Sequence, residues 1–215
     1  MLVMVSNATG TLVDELATRF RGQLGNLVSV GGWRSTVLPQ FALDNGEYPA
    51  WVKGERARMA PLLRLCDDAE ALELEHGERP RFVTVPDAVG DRERTLELWR
   101  QHAPWFRAVY QWPLALVVQD RMEVRHVKAL KVQPDVIFVG GSGNARKLTG
   151  WKWASLAGWC KAFPRVHVGR VNNYAGAARC LELGAESIDG TGWMCTTRQR
   201  LELVRFLEHQ KAVTA

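Results

Sequence analysis

The sequence is poor in the features that mark membrane, secreted or metal-stapled proteins. No stretch of its 215 residues approaches the roughly 20 consecutive apolar residues a membrane-spanning helix needs. The opening MLVMVSNATG has no basic n-region and only a five-residue apolar run, which fits a first core strand better than a secretory signal. Cysteine is scarce: Cys66, Cys160, Cys180 and Cys195 form no CxxC or CxC pair, and close ligand pairs are what a structural zinc site usually needs. His76, His102, His126, His167 and His209 are equally scattered. The expectation is no metal, and free thiols in a reducing cytoplasm. No Gly-x-Gly-x-x-Gly follows the first apolar run, which weakens a dinucleotide-binding reading. Internal repeats, low-complexity tracts and linkers are lacking too.

What is present describes an ordinary folded chain. It is 47% hydrophobic and 24% charged, far from the disordered and fibrous classes. Its length suits one domain spanning 1–215 with a large core. The formal net charge is +5. That admits either a soluble surface or a nucleic-acid partner, whose phosphates reward clustered Arg and Lys.

Eight short apolar runs recur: Leu2–Val5, Leu27–Val30, Phe41–Leu43, Phe82–Val85, Leu114–Val118, Val136–Val139, Val166–Val168 and Ser187–Ile188. Most are apolar on both faces, as strands of a parallel sheet covered by helices are. Helical spacing of apolar residues marks Thr11–Leu24, Glu55–His76, Asp91–Ala103, Trp151–Ala162, Tyr174–Leu183 and Arg198–His209. Gly184 supplies a stop for the fifth of these. Eight candidate strands alternating with helices predict an α/β fold, a compact (β/α)8 TIM-type barrel, with a doubly wound open sheet as the alternative.

The polar residues after each strand carry the functional signal. Leu43 leads into Asp44-Asn45-Gly46, Val85 into Pro86-Asp87, and Val118 into Gln119-Asp120. Val139 leads into Gly140-Gly141-Ser142-Gly143, Val168 into Gly169-Arg170, and Ile188 into Asp189-Gly190. In a parallel barrel all of these open onto the C-terminal face, where the active sites of that fold lie. An Asp after a strand also serves as a helix cap or turn former, and a glycine run can be only a tight turn. Asp44 and Asp189 each sit beside glycine, which lets a ligand approach the backbone. Two carboxylates flanking a sugar carbon suit glycosyl chemistry, one attacking the anomeric carbon and the other moving protons.

This series resembles the tRNA-guanine transglycosylases, and more specifically their DpdA-type relatives of phages and bacteria, which insert 7-deazaguanines into DNA. FALDNGEY is similar to the family's strand ending in Asp-Ser-Gly-Gly-Phe, TVPDAV to the segment with its base-reading Asp, and LALVVQD to its Val-Gln-Gly segment. VIFVGGSG resembles its Val-Gly-Gly loop. HVGRVNNYAGAARCLELGAESIDG resembles its Met-Gly-Val-Gly strand, a helix and the segment carrying the nucleophile. The resemblance covers roughly residues 41–192, in the family's order. Asn45 stands where the family has Ser, Gln119 lacks the following Gly, and the C-terminal zinc motif that supports RNA binding has no counterpart.

The resemblance implies a (β/α)8 barrel without zinc subdomain that exchanges guanine for a 7-deazaguanine in DNA, with RNA left open. It implies Asp189 as nucleophile on C1′ and Asp44 as general acid/base. Asp87 and Asn45 would belong to the base pocket, with Gln119 and the amides of Gly140 and Gly141 contacting O6. One N-glycosidic bond replaces another, so no cofactor is implied, and the setting would be a bacterial or phage-infected host cytoplasm. Arg146, Lys147 and Lys152 follow the glycine loop and are expected to contact phosphates, while Trp151 and Trp153 read as core residues of a helix face. A homo-oligomer or a partner subunit stays open. The alternatives are a catalytically silent nucleic-acid-binding subunit of the same fold, and a barrel enzyme that holds a phosphate ester at Gly140–Gly143.

Overall fold

A computed structural model describes residues 1–33 and 38–214. Among them, eight parallel strands close into a barrel in chain order. They are β1 (Leu2–Ser6), β2 (Leu24–Ser29), β3 (Phe41–Asp44), β4 (Val83–Thr84), β5 (Leu114–Val118), β6 (Val136–Val139), β7 (Val166–Val168) and β8 (Ser187–Gly190). The helices are α1 (Thr11–Arg19), α2 (Glu47–Val52), α3 (Met59–His76), α4 (Arg92–Tyr110), α5 (Val124–Lys128), α6 (Trp151–Ala162), α7 (Tyr174–Glu182) and α8 (Thr197–Thr214). The (β/α)8 barrel expected from the alternation is the fold observed, and the open sheet is excluded by the pairing of β1 with β8. No helix among the described residues is long and apolar enough to cross a membrane.

The period-2 alternation of each strand divides the core in two. Val3, Val5, Leu116, Val118, Ile137 and Val139 point outward and pack under the helices. Leu2, Met4, Leu27, Ala42, Phe82, Ala115, Val117, Val136 and Phe138 fill the barrel interior. The same alternation turns His167 of β7 and Ser187 and Asp189 of β8 inward, with His167 paired in register with Ser187.

Several boundaries differ from the sequence expectation. Helix α1 ends at Arg19, not Leu24, and Leu24 begins β2. Asn26 disguises that strand, because it is polar yet buried; its side chain bonds to the carbonyls of Val5 and Ala8 and to the amide of Leu38. Helix α3 starts at Met59 instead of Glu55. Helix α4 runs through Pro104 to Tyr110, because the buried Phe106 and Tyr110 of its last turns outweigh one missing backbone donor.

Candidate active site

The C-terminal strand ends open into a cavity of about 690 Å³. Asp44, Asn45, Asp87, Gln119, Gly140 and Asp189 all line it, as expected from their places after the strands. So do Tyr48, Arg170 and Asn172. A volume of this size lies within the range of small-molecule sites.

Asp189 is nine-tenths buried and accepts three hydrogen bonds. His167 Nε2 is 3.1 Å from Oδ1, the Arg170 amide donates to the same oxygen at 3.2 Å, and Ser6 Oγ donates to Oδ2 at 3.4 Å. His167 is fully buried, with its ring centroid 4.4 Å from that of Phe138 and 5.1 Å from that of Phe82. Its Nδ1 lies 2.8 Å from Ser187 Oγ. A Ser187 hydroxyl donating to Nδ1 leaves Nε2–H to donate to Asp189, so the two contacts select one tautomer. The result is a Ser187–His167–Asp189 chain that fixes the carboxylate's orientation from within the barrel.

Asp44 is supported by the Gly46 amide, 3.3 Å from Oδ2, and by hydrogen bonds from the Ser29 side chain and the Asn45 amide. Burial, and after it the charge of Asp189, push its carboxyl up to about 6. Gly46 takes φ 77°, a left-handed conformation that glycine adopts at little cost, and this turns the chain from β3 into α2 beside the carboxylate.

Asp87 is held from both sides. Asn45 Nδ2 donates to Oδ1 at 2.8 Å and Gln119 Nε2 to Oδ2 at 2.6 Å. The partners are themselves held: Asn45 Nδ2 also reaches the Val85 carbonyl, and Gln119 Oε1 accepts from the Gly90 amide at 3.0 Å. Burial dominates and raises Asp87 to about 7, with the Asn45 and Gln119 bonds opposing it and the charges of Asp44 and Glu47 adding to it. Each carboxylate oxygen retains a lone pair for a ligand.

Two expectations need correction. The amides of Gly140 and Gly141 do not face a ligand as donors, because both are directed at the Val118 carbonyl, at 3.2 and 3.3 Å. Gly141 is instead a packing position, where a Cβ would fall 2.3 Å from the Trp151 ring. Lys152 is no surface phosphate contact. It is 3% exposed, with Nζ donating to the Gly169 carbonyl at 2.5 Å, and burial lowers it to about 7. It turns inward because α6 carries it on the face that includes Trp153, which is buried as expected, whereas Trp151 is half-buried. Arg146 and Lys147 do stand exposed on the loop before α6.

Sequence reasoning missed Tyr48, Arg170, His167 and Ser187. Arg170 donates to the carbonyls of Gly140 and Gly141 at 2.8 and 2.5 Å and lies 4.5 Å over the Tyr48 ring. Tyr48 stacks on Trp51 at 6.0 Å. Arg170 follows a strand as the other site residues do, and Tyr48 follows Asp44 by four positions; both signals were readable. The inward His167 and Ser187 are visible only once the barrel register is known.

Among the described residues, no group of three or more His, Cys, Asp or Glu side chains is placed to hold a metal ion. No protein-family model matches the chain, and no curated protein matches it.

Proposed function

We propose that the protein is a base-exchanging transglycosylase acting on DNA, replacing guanine with a 7-deazaguanine through a covalent Asp189–C1′ intermediate. The observation that carries this reading is the meeting of two carboxylates in one cavity: Asp189 tied to His167, the Arg170 amide and Ser6, and Asp44 with its carboxyl raised to about 6. A carboxyl raised toward neutrality suits Asp44 to carry a proton.

Asp189 Oδ attacks C1′ as the C1′–N9 bond breaks. The departing base takes the bond's electron pair and a proton from Asp44. The incoming base then gives its N9 proton to Asp44 and attacks C1′, which frees Asp189 and restores both groups. Asp87, clamped by Asn45 and Gln119, accepts from the N1 and 2-amino donors of the base. The second Nε2 hydrogen of Gln119 and the Arg170 guanidinium serve O6, in place of the glycine amides. Tyr48 holds the Arg170 guanidinium over its ring beside this position. A duplex hides C1′, so the target is single-stranded or flipped out. Arg146 and Lys147, exposed on the loop before α6, would meet its phosphates.

The test is exchange of radiolabelled guanine into single-stranded DNA, with a denaturing gel for a protein–DNA adduct. Exchange and an adduct support the reading. Neither with any guanine-like base, on DNA or RNA, overturns it in favour of a catalytically silent subunit.

A further inference from the structure

A second cavity, of about 420 Å³, lies against the first and shares its Asn45 and Asp87 wall. It opens where the α2–α3 connection and the start of α3 meet α4. Its apolar surface comes from Met59, Leu62, Pro86 and Leu98, and Arg56, Arg58, Arg94 and His102 also line it. The carboxylates present are already engaged. Glu47 accepts from Arg56 and from the Ala57 amide, and Asp87 is clamped as described. Among the described residues Arg94 pairs only with the exposed Glu97, a solvent-screened contact of small worth. No carboxylate pairs with Arg58 among the described residues. The excess positive charge registers on His102, held below the ordinary histidine value by burial and then by Arg94.

We propose that this cavity binds a nucleotide phosphate, with Arg58 and Arg94 as its ligands and the apolar surface under the attached sugar or base. Guanidinium forks match phosphate oxygens in a way a lone ammonium does not. The shared wall makes the occupant the neighbour of whatever occupies the first cavity. Taken with the transglycosylase reading, on which this last step rests, it is the nucleotide flanking the reacting one.

The test reads binding and needs no turnover. The probes are a fluorescein-labelled single-stranded deoxyoligonucleotide of about 12 nucleotides, within the usual span of single-strand sites, and dAMP. Arg58→Gln combined with Arg94→Gln alters two exposed side chains, and circular dichroism checks the fold. The double variant is expected to bind on the order of tenfold more weakly, with the log–log salt slope lower by about 0.7, the value for one phosphate on a single strand. In the wild type, the bound probe is expected to raise the NMR titration midpoint of His102, because a phosphate neutralises Arg94. Movement by dAMP assigns the site to free nucleotides, and movement by the oligonucleotide alone assigns it to a polynucleotide; both support the site. Unchanged affinity and slope overturn the proposal, and so does weaker binding with His102 unmoved. If base exchange is never observed but these shifts are, the phosphate site stands and the transglycosylase reading falls.

Discussion

His167 Nε2 lies 3.1 Å from Asp189 Oδ1, and the imidazole behind that contact is fully buried and does not line the cavity. Orientation of a cavity carboxylate is therefore set by a side chain that no substrate touches. His167→Leu keeps the bulk and removes the donor. Misplacing a reacting group by about 1 Å can cost on the order of 10²-fold, and a loss of that size in kcat is expected. Affinity for 7-deazaguanine, read by Asp87 on another strand end, should not change. Ser187→Ala should lose less, because it alters only the outer link. Equal losses in kcat and base affinity would mean general damage to the barrel.

Asp189→Asn and Asp44→Asn should fail differently. The first removes the proposed attacking group at nearly constant volume, so exchange and adduct should both vanish. The second leaves the nucleophile and removes proton transfer, which is typically worth about 10²–10⁴-fold, so slow turnover or a trapped adduct is expected. Single-turnover kinetics with gel detection of the adduct separate the two.

Base affinity should rise with pH. Asp87 accepts hydrogen bonds best as the anion, and its carboxyl is raised to about 7. Below that value affinity should fall roughly tenfold per pH unit, the equivalent of 1.36 kcal/mol. Asp87→Asn should bind weakly and show no such rise. Calorimetric titration across this range checks both.

How far could this site be read from the sequence? Asp44, Asp87, Gln119 and Asp189 were legible because a side chain that follows an apolar strand in a parallel barrel has one place to go. The glycine amides were not, because a backbone donor's partner depends on the local turn, and here the Val118 carbonyl takes both. Lys152 misled because a positive charge in sequence does not reveal which face of α6 carries it. Helix α2 was missed for its six residues with Pro49 inside them, too short for a periodic signal.

Stability should fall with rising pH through the same carboxyls. The folded-state value for Asp44, about 6, lies above its ordinary 3.8. Its contribution is thus fully present below about 3.8 and is lost as pH rises through about 6. The full rise would be worth at most ~3 kcal/mol, and partial solvent contact reduces this to about 1–2 kcal/mol. Asp44→Asn should accordingly be more stable than the wild type by that amount near pH 8 and about equal near pH 3. Urea unfolding at the two pH values measures the difference.

Met4 pairs with Asp189 where β1 meets β8, and Ser6 bonds to the same carboxylate from 183 positions away in the chain. The seam that closes the barrel therefore also completes the candidate site. During synthesis, β1 waits for all the other strands before its partner β8 emerges, a long-range closure that slows folding. Until it happens, the carboxylate lacks both its orienting hydroxyl and the enclosed wall around it. Under the proposed function, a nascent or partly folded chain would not act on nucleic acid before β8 joins β1.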